Sequence, residues 1–302
     1  RDGFNIVSTS NVSITNSTIA SNDDALVFKS DFALGKHFLN QNVVVRNVSL
    51  SARCCNALMF GSETCGDFNH YTFSHITITG ADKSGIGIVS MDGGKITNLR
   101  YSDITISRVS SAIFIRLGNR GRCPGNPPPG SISGITLTNI TGSHLWASDQ
   151  WTPTIAGLPG HNVSNITLNR VSLTLPGGHP TSDATVQPPE GADFNPRVFG
   201  ARPAYGFWMR HVSGIHFIQV RVRLDHDDGR PAFLATSGDR ITLEGVTVQH
   251  SSGGYDLGFA GIARYCVTDS TDNHGGALRI RATMGSTAVI CDSLRGIARL
   301  RP

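Results

Sequence analysis

Hydrophobic residues recur along the chain in nine-residue segments, each with two short alternating patches that a polar or asparagine corner divides. In the segment NVVVRNVSL, Val43 and Val45 form the first patch, and Val48 and Leu50 form the second. Related segments begin at Asn11, Asn42, His70, Asn98, Gly134, Asn165, Gly214 and Arg240. One such unit cannot bury its apolar face alone, so we expect successive units to stack with parallel strands about 4.8 Å apart. The pattern therefore predicts an all-β, right-handed parallel β-helix, a solenoid with almost no helix.

A second short apolar strand follows many of these segments, at 25–28, 57–60, 86–89, 113–116 and 232–234. We expect these strands to form a second sheet, in which residues of consecutive turns lie in vertical rows. The repeat interval varies, and the two longest interruptions, at about 142–162 and about 174–206, are interpreted as inserted surface loops. The whole chain, 1–302, is predicted to be a single domain. Its first residues already resemble the middle of a turn, so we expect upstream turns to be missing.

Asparagine is frequent at the corners of the repeat. Six Asn-x-Ser/Thr triplets occur, at Asn11, Asn16, Asn47, Asn139, Asn162 and Asn165. Most of them fall at the repeated corner, which favours asparagine side chains that hydrogen bond along the stack over glycosylation sites.

Composition and charge narrow the class of function. The 34 glycines, 14 prolines and 16% charged residues favour short strands joined by turns. The formal net charge of +4 comes mostly from scattered arginines, so nothing favours nucleic-acid binding. No apolar run reaches the roughly 18 residues of a membrane span. We expect no nucleic-acid or membrane partner and a monomeric protein.

Six cysteines indicate an exported, extracellular protein. The spacing favours a Cys55–Cys65 bridge and a Cys266–Cys291 bridge, and leaves Cys123 to pair with Cys54 or to stay free. Neither a CxxC pair nor a paired-histidine pattern is present, so we predict no metal site and no cofactor.

Three carboxylates fall at one place in the predicted stack. Asp2 and the pair Asp23-Asp24 both lead into the second sheet, about one turn apart, so we expect them to lie one above the other. Like-charge repulsion in such a cluster raises the pKa of at least one carboxyl group. Glycosidic cleavage requires that combination, an acid for the leaving oxygen and a base for water. The alternative is that Asp-Asp and Asp-Gly are ordinary turn residues.

Three motifs carry a family resemblance: Asp2-Gly3, the run NDDALVFKS from Asn22 to Ser30, and the run NALMFGSE from Asn56 to Glu63. Over about residues 1–142 the chain resembles glycoside hydrolase family 28, the polygalacturonase group. Its members carry Asn-Thr-Asp-Gly, Asp-Asp before a Lys-Ser strand end, Gly-His-Gly before Ile-Gly-Ser, and then Arg-Ile-Lys. The resemblance implies that Asp23 is the general acid, that Asp24 and Asp2 activate the water, and that hydrolysis proceeds with inversion.

The chain departs from this family at two motifs. Cys55-Asn56-Ala57 stands where the family has Gly-His-Gly, and Gly87-Ile88-Val89 stands where it has Arg-Ile-Lys. Because two cations that grip a uronate are absent there, a neutral sugar or a differently placed uronate fits better than galacturonate. Candidate substrate-binding residues are Asn56, Glu63, Lys29, Asp92 and Arg116, of which Arg116 is a candidate source of the missing charge.

The residues and the resemblance together favour a secreted glycosidase that cleaves a pectin-type or related polysaccharide or oligosaccharide by inverting acid/base catalysis. One alternative is a β-helix that binds carbohydrate or serves a structural role and whose catalytic row has decayed. A third reading is a polysaccharide lyase, which requires an arginine or lysine base and usually calcium.

Overall fold

A computed structural model describes residues 1–145, 151–190 and 193–291, and these residues are mainly strands. The first nine strands are β1 (Phe4–Val7), β2 (Ser13–Ser21), β3 (Leu26–Ser30), β4 (Asn40–Ala52), β5 (Leu58–Thr64), β6 (Phe68–Ser90), β7 (Lys95–Ser107), β8 (Val109–Leu117) and β9 (Ser131–Ser143). The next five are β10 (Thr154–Ala156), β11 (Val163–Leu175), β12 (Phe207–Ile218), β13 (Arg221–Leu224) and β14 (Phe233–Glu244). The last five are β15 (Thr247–Val248), β16 (Leu257–Ile262), β17 (Tyr265–Thr268), β18 (Thr271–Asp272) and β19 (Ile280–Thr283). Two short 3₁₀ helices, Thr181–Thr185 and Pro196–Phe199, are the helical segments of the described residues.

Parallel pairing joins each nine-residue segment to the next one. The ladder runs through β2, β4, β6, β7, β9, β11, β12, β14 and β17. One row of paired residues shows its constant register: Ile14, Val45, Phe73, Tyr101, Leu137, Leu168, Phe217, Leu243 and Val267. The predicted stacking of these segments as parallel strands is confirmed.

The second set of strands forms its own parallel ladder. It begins with β1, β3, β5, the last part of β6, β8 and β10. It continues through the first parts of β12 and β14 to β16 and β19. Leu26, Leu58, Ile86 and Ile113 pair in sequence and are buried, so the expected vertical row exists.

Asparagines at the corners adopt the left-handed conformation that lets the chain turn between two strands. Asn11, Asn16, Asn42 and Asn47 have φ values of 60°, 51°, 59° and 55°. The Asn42 amide donates to Asn11 Oδ1 at 3.2 Å, and the Asn47 amide donates to Asn16 Oδ1 at 3.1 Å. Asparagine tolerates this backbone region better than most residues. The interpretation of these side chains as corner residues that bond along the stack is confirmed.

One hydrophobic cluster extends from Ile14 to Tyr265 through the interior of the stack. Its early part is rich in aromatic rings, with the Phe60 ring centroid 5.1 Å from Phe28 and 4.9 Å from Tyr71. The alternating apolar positions of the sequence supply this interior, because successive strand residues face opposite sides of a sheet.

The two interruptions of the repeat differ from simple surface loops. The first contains β10, which pairs with β8 and β12 and so completes the second ladder. Its three residues are too few for periodicity to reveal a strand. The second interruption lies between the end of β11 and the start of β12 and carries both 3₁₀ helices. It buries Phe199 and Ala204 against Trp208, Val89 and Phe114, so it covers part of the outer face of the second ladder.

The cysteine pairing corrects one expectation and confirms another. Cys266 and Cys291 are bonded as predicted, and the second disulfide is Cys65–Cys123. The predicted Cys55–Cys65 pair is therefore wrong. Cys123 neither pairs with Cys54 nor stays free. Cys65 follows β5 and Cys123 follows β8, two turns later, so the segment after β8 returns along the stack to close a bond across 58 residues, a contact that linear spacing cannot show. Among the described residues, no helix is long and apolar enough to cross a membrane.

We predict that Phe60→Ala lowers the free energy of unfolding by about 3–5 kcal/mol, because it leaves a cavity in the aromatic part of the interior. Chemical denaturation measures this loss. Leu34→Ala is the matched control, since Leu34 is 71% exposed and its truncation removes little buried surface. Equal midpoints for the two variants would contradict the placement of Phe60.

Candidate active site

Three aspartates meet where β1 and β3 begin. Phe4 pairs with Leu26, so the same register two residues earlier sets Asp2 opposite Asp24. One carboxylate oxygen from each of Asp2, Asp23 and Asp24 lies within 4.8 Å of the other two. The sequence expectation that these residues stack is thus met by the geometry. Three carboxylates this close could also ligate one cation through oxygen atoms.

Asp24 is the buried member of the cluster, with 8% of its surface exposed. Burial raises the pKa of Asp24, while two hydrogen bonds from Asn56 oppose that rise. The Asn56 backbone N–H and its side-chain amide both donate to Asp24 Oδ1 at 2.8 Å. The amide oxygen of Asn56 in turn accepts from Ser84, from the backbone N–H at 3.2 Å and from the hydroxyl at 2.5 Å.

Asn56 therefore contacts one catalytic candidate, Asp24, directly. It was predicted as a substrate-binding residue at the place of the family histidine. The structure buries it between Asp24 and Ser84, which favours a role in holding Asp24 over direct contact with a sugar.

Asp23 precedes Asp24 in the segment between β2 and β3 and is the more accessible of the two. A hydrogen bond from the Cys55 thiol lowers the pKa of Asp23, against the smaller effect of burial, and the charge of Lys83 lowers it further. Lys83 Nζ lies 3.3 Å from Cys55 Sγ. Two adjacent carboxyl groups thus have pKa values shifted in opposite directions.

Lys29 connects the aspartates to a second charged group at the far end of the same strands. Its Nζ lies 3.1 Å from Asp2 and 3.6 Å from Glu63. Burial opposes the charge of Lys29, but the hydrogen bond to Asp2 and the charge of Glu63 outweigh it and raise the lysine pKa. Glu63 also has Arg120 at 3.7 Å and Arg122 at 3.8 Å. Lys29 and Glu63, both predicted substrate-binding residues, therefore lie beside the aspartate cluster.

Asp92 and Arg116 are occupied by contacts within the protein. Asp92 is buried and accepts hydrogen bonds from Arg120 Nε at 3.0 Å and from its Nη2 at 2.5 Å. Arg116 is also buried; it donates to the Glu190 carbonyl at 2.8 Å, and its guanidinium lies 4.7 Å from the Phe199 ring centroid. Burial lowers the pKa of Arg116 to about 10. Arg116 thus anchors the second insertion, a position that does not favour the substrate contact predicted for it.

The place of the absent family cations is apolar in three dimensions. Val89 packs in the cluster beneath Phe199 and Trp208. At Gly87, an added Cβ would come within 2.6 Å of the Met59 sulfur. A side chain at Gly87 would displace Met59, and Val89 is fully buried.

A pocket of about 470 Å³ lies next to Glu63 and is lined by Arg120, Arg122, Asp193, Phe194 and Val198. The Phe194 ring centroid lies 5.9 Å from the Arg120 guanidinium and 5.4 Å from Lys83 Nζ. The second insertion therefore places the Phe194 ring between Lys83, near the aspartates, and Arg120, near Glu63.

Sequence reasoning missed five residues of the site: Lys83, Arg120, Arg122, Phe194, and Cys55, which it did not place next to Asp23. Lys83 follows Cys55 by one repeat, and this spacing was a usable signal. Arg120 and Arg122 lie in a segment between β8 and β9, and nothing in their spacing indicates that they reach back to Glu63.

Comparison with known proteins gives one result. The family model described as "Glycosyl hydrolases family 28" matches residues 1–192 of the 302. The match includes the three aspartates, Lys29, Asn56, Glu63 and both pocket arginines, and it ends just before Asp193 and Phe194. No curated protein and no solved structure matches the chain.

We predict that Asn56→Ala destabilises the protein by about 1–3 kcal/mol at neutral pH, because the Asp24 carboxylate loses a hydrogen-bond donor. The variant raises the already raised pKa of Asp24 further. A group whose folded pKa lies above its unfolded value loses stability as pH rises through the folded pKa. The loss is therefore smaller at about pH 4, near the unfolded pKa of aspartate, than at about pH 7.

Urea denaturation at both pH values measures this difference. Gln187→Ala, at an exposed amide, is the control and should show no such pH dependence. A loss in Asn56→Ala that is the same at both pH values would mean that Asn56 does not control Asp24.

Proposed function

Because the chain belongs to glycosyl hydrolases family 28, we propose that it is an extracellular enzyme that hydrolyses a pectin-type polysaccharide, with Asp2, Asp23 and Asp24 as its acid and base. The observation that carries the proposal is the meeting of these three carboxylates within 4.8 Å. The two disulfides agree with an oxidising compartment, and a monomeric state remains a prediction.

The proposal includes the architecture. Parallel ladders in which each strand pairs with one strand a repeat earlier and another a repeat later support a right-handed parallel β-helix that forms one domain. In such a stack, the outer face of the second ladder is the floor of a groove. The aspartates lie at one end of this groove and Glu63 with its arginines at the other.

Asp23 is assigned as the general acid because it is the accessible member of the pair and the one that the family resemblance names. Geometry comes before pKa in such an assignment. The carboxyl groups are close enough to titrate as a coupled set, so the proton that burial favours on Asp24 is shared with its neighbours. Because the pKa of Asp23 is lowered, we expect activity only at acidic pH, where the three carboxyl groups together still hold a proton.

Asp24 and Asp2 are assigned to the water molecule. Two hydrogen bonds from Asn56 orient Asp24, and an ion pair with Lys29 at 3.1 Å positions Asp2. Inverting enzymes usually separate acid and base by about 6.5–9.5 Å, with water between them. The shortest oxygen distances here are below that range, so the attacking water is placed beside the cluster, on the groove side, and not between its members.

The charges of the groove favour an acidic glycan whose carboxylate is held away from the family position. Arg122 is 65% exposed on its side chain and lies in the pocket together with Arg120 and Phe194. An exposed guanidinium can bind a uronate carboxylate through charge-assisted hydrogen bonds, while an aromatic ring packs on a sugar face. Of the two substrates left open by the sequence, a differently placed uronate is the better fit.

We predict that Asp23→Asn lowers kcat on every substrate by at least about 100-fold, the effect of losing a general acid. Reducing-end assays on a panel of pectic and neutral polysaccharides provide the rate, and proton NMR of the first product identifies its anomer. The unmodified enzyme should release the inverted anomer.

Asp225→Asn is the matched control, since Asp225 is an exposed aspartate on the turn after β13. It should keep full activity. A retained anomer would overturn the single-displacement mechanism, and products that absorb in the ultraviolet would indicate a lyase. Glycan binding without any hydrolysis would favour a binding protein.

A second prediction concerns Arg122. Arg122→Gln should raise KM for an acidic oligosaccharide about 5-fold, the value of one exposed charge pair of about 1 kcal/mol, and leave kcat nearly unchanged. The effect should fall with added salt, because exposed charges are screened. Arg100→Gln, at an exposed arginine on β7, is the control. An equal change for a neutral oligosaccharide would mean that Arg122 does not select for charge.

A further inference from the structure

Two thiols remain after the disulfides are formed, and they belong to adjacent residues. All six cysteines fall within the described residues, where Cys65–Cys123 and Cys266–Cys291 are bonded and Cys54 and Cys55 are not. The Sγ atoms of Cys54 and Cys55 are 2.7 Å apart, and a disulfide bond requires about 2.05 Å. Cys54 is exposed and Cys55 is buried, so an external reagent reaches the pair through Cys54.

This pair contacts the proposed acid directly. One carboxylate oxygen of Asp23 and both sulfur atoms lie within 4.8 Å of one another. The neighbouring Cys55 thiol lowers the pKa of Asp23, and Lys83 Nζ lies 3.3 Å from the same sulfur. Any change in the covalent state of Cys55 therefore changes the hydrogen bonding of Asp23.

We propose that Cys54 and Cys55 form a reversible oxidation site, at which a disulfide between the adjacent residues removes the thiol groups beside Asp23. The existence of the site stands on the sulfur geometry, and only its effect on catalysis rests on the proposed function of Asp23.

The oxidation balances with a low-molecular-weight disulfide as the oxidant. The exposed thiolate of Cys54 attacks one sulfur of that disulfide, which forms a mixed disulfide and releases one thiol. The Cys55 thiol then loses its proton and attacks Cys54 Sγ, which releases the second thiol. Two protein thiols are oxidised, one disulfide is reduced to two thiols, and the two protons end on the released thiols. Burial raises the pKa of Cys55, so Cys54 acts as the first nucleophile.

Adjacency makes the bond easy to reverse. Neighbouring Cα atoms across a trans peptide are about 3.8 Å apart, below the roughly 4.4–6.8 Å usual for disulfides, and strained disulfides are the more readily reduced ones. Cys65–Cys123 and Cys266–Cys291 have Cα separations of 5.7 and 5.2 Å, within the usual range. A mild reductant should therefore open the Cys54–Cys55 bond first.

The oxidised state changes the proton affinity of Asp23. The groups that face Asp23 are Asp2, Asp24, Lys83, the two cysteines and the amino group of Arg1. Oxidation removes the Cys55 donor, the strongest influence that lowers the pKa of Asp23, and leaves the Lys83 charge in place. The Asp23 pKa rises, so the enzyme keeps its acid protonated to a higher pH. The disulfide form is thus the form with the broader active range.

Alkylation tests the site without any use of activity. The intact protein is equilibrated in buffers of graded glutathione ratio, treated with N-ethylmaleimide, and mapped by mass spectrometry after non-reducing digestion. We expect Cys54 and Cys55 to be linked under oxidising buffer and both alkylated under mild reduction, while the other two disulfides stay closed. Alkylation of Cys54 and Cys55 at every ratio would overturn the proposal.

The pH dependence of kcat/KM tests the consequence. On the basic limb, each unit by which the Asp23 pKa rises increases the rate about tenfold, and oxidised protein should show such an increase over reduced protein. Cys54→Ser should keep the reduced profile and lose the response to oxidant. Cys55→Ala should show the oxidised profile in either buffer. Identical limbs for oxidised and reduced protein would overturn the link to Asp23.

If the protein hydrolyses no substrate, NMR titration of the Asp23 carboxyl carbon replaces the kinetic profile. A pKa that rises on oxidation supports the link, and an unchanged pKa overturns it. Failure of the proposed function and failure of this inference are thereby separated.

Discussion

Parallel hydrogen bonding between each strand and the strand one repeat later is the interaction on which the rest of this molecule depends. It fixes a register that a shift of one residue would destroy, because successive side chains face opposite sides of a strand. Four polar residues occupy successive turns in the order Asp2, Asp24, Asn56 and Ser84. The register places each of them next to the one before it, so they form a row. The proximity of the active-site candidates thus follows from the backbone pairing, which the apolar interior stabilises.

The same pairing explains why adjacent aspartates differ. Asp24 is buried beside Asn56 of the next turn, where burial penalises its charge and the Asn56 hydrogen bonds compensate only in part. Asp23 is more accessible, and the Cys55 thiol and Lys83 favour its ionised form. Two adjacent residues of one chemical type thereby acquire opposite pKa shifts from their different surroundings.

The second insertion decides how charge is distributed along the groove. It covers Val89 and holds Arg116 in an aromatic contact, so the positions where the family carries cations are dry and apolar. It also brings Phe194 beside Arg120 at the opposite end. Positive charge reaches the groove from the segment after β8, where the exposed Arg122 lies near Glu63.

Periodicity alone was enough to predict the strands, their parallel stacking, the asparagine corners and the meeting of Asp2 with Asp23 and Asp24, because each depends on residues that occupy equivalent positions of successive repeats. Tertiary structure decided what periodicity cannot express. The Cys65–Cys123 pairing and the reach of Arg120 and Arg122 to Glu63 join residues at unequal spacings, and the three-residue strand β10 is too short to show a pattern. The roles of Asn56, Asp92 and Arg116 depended on burial, which is set by the surroundings of a side chain and not by its position in the repeat.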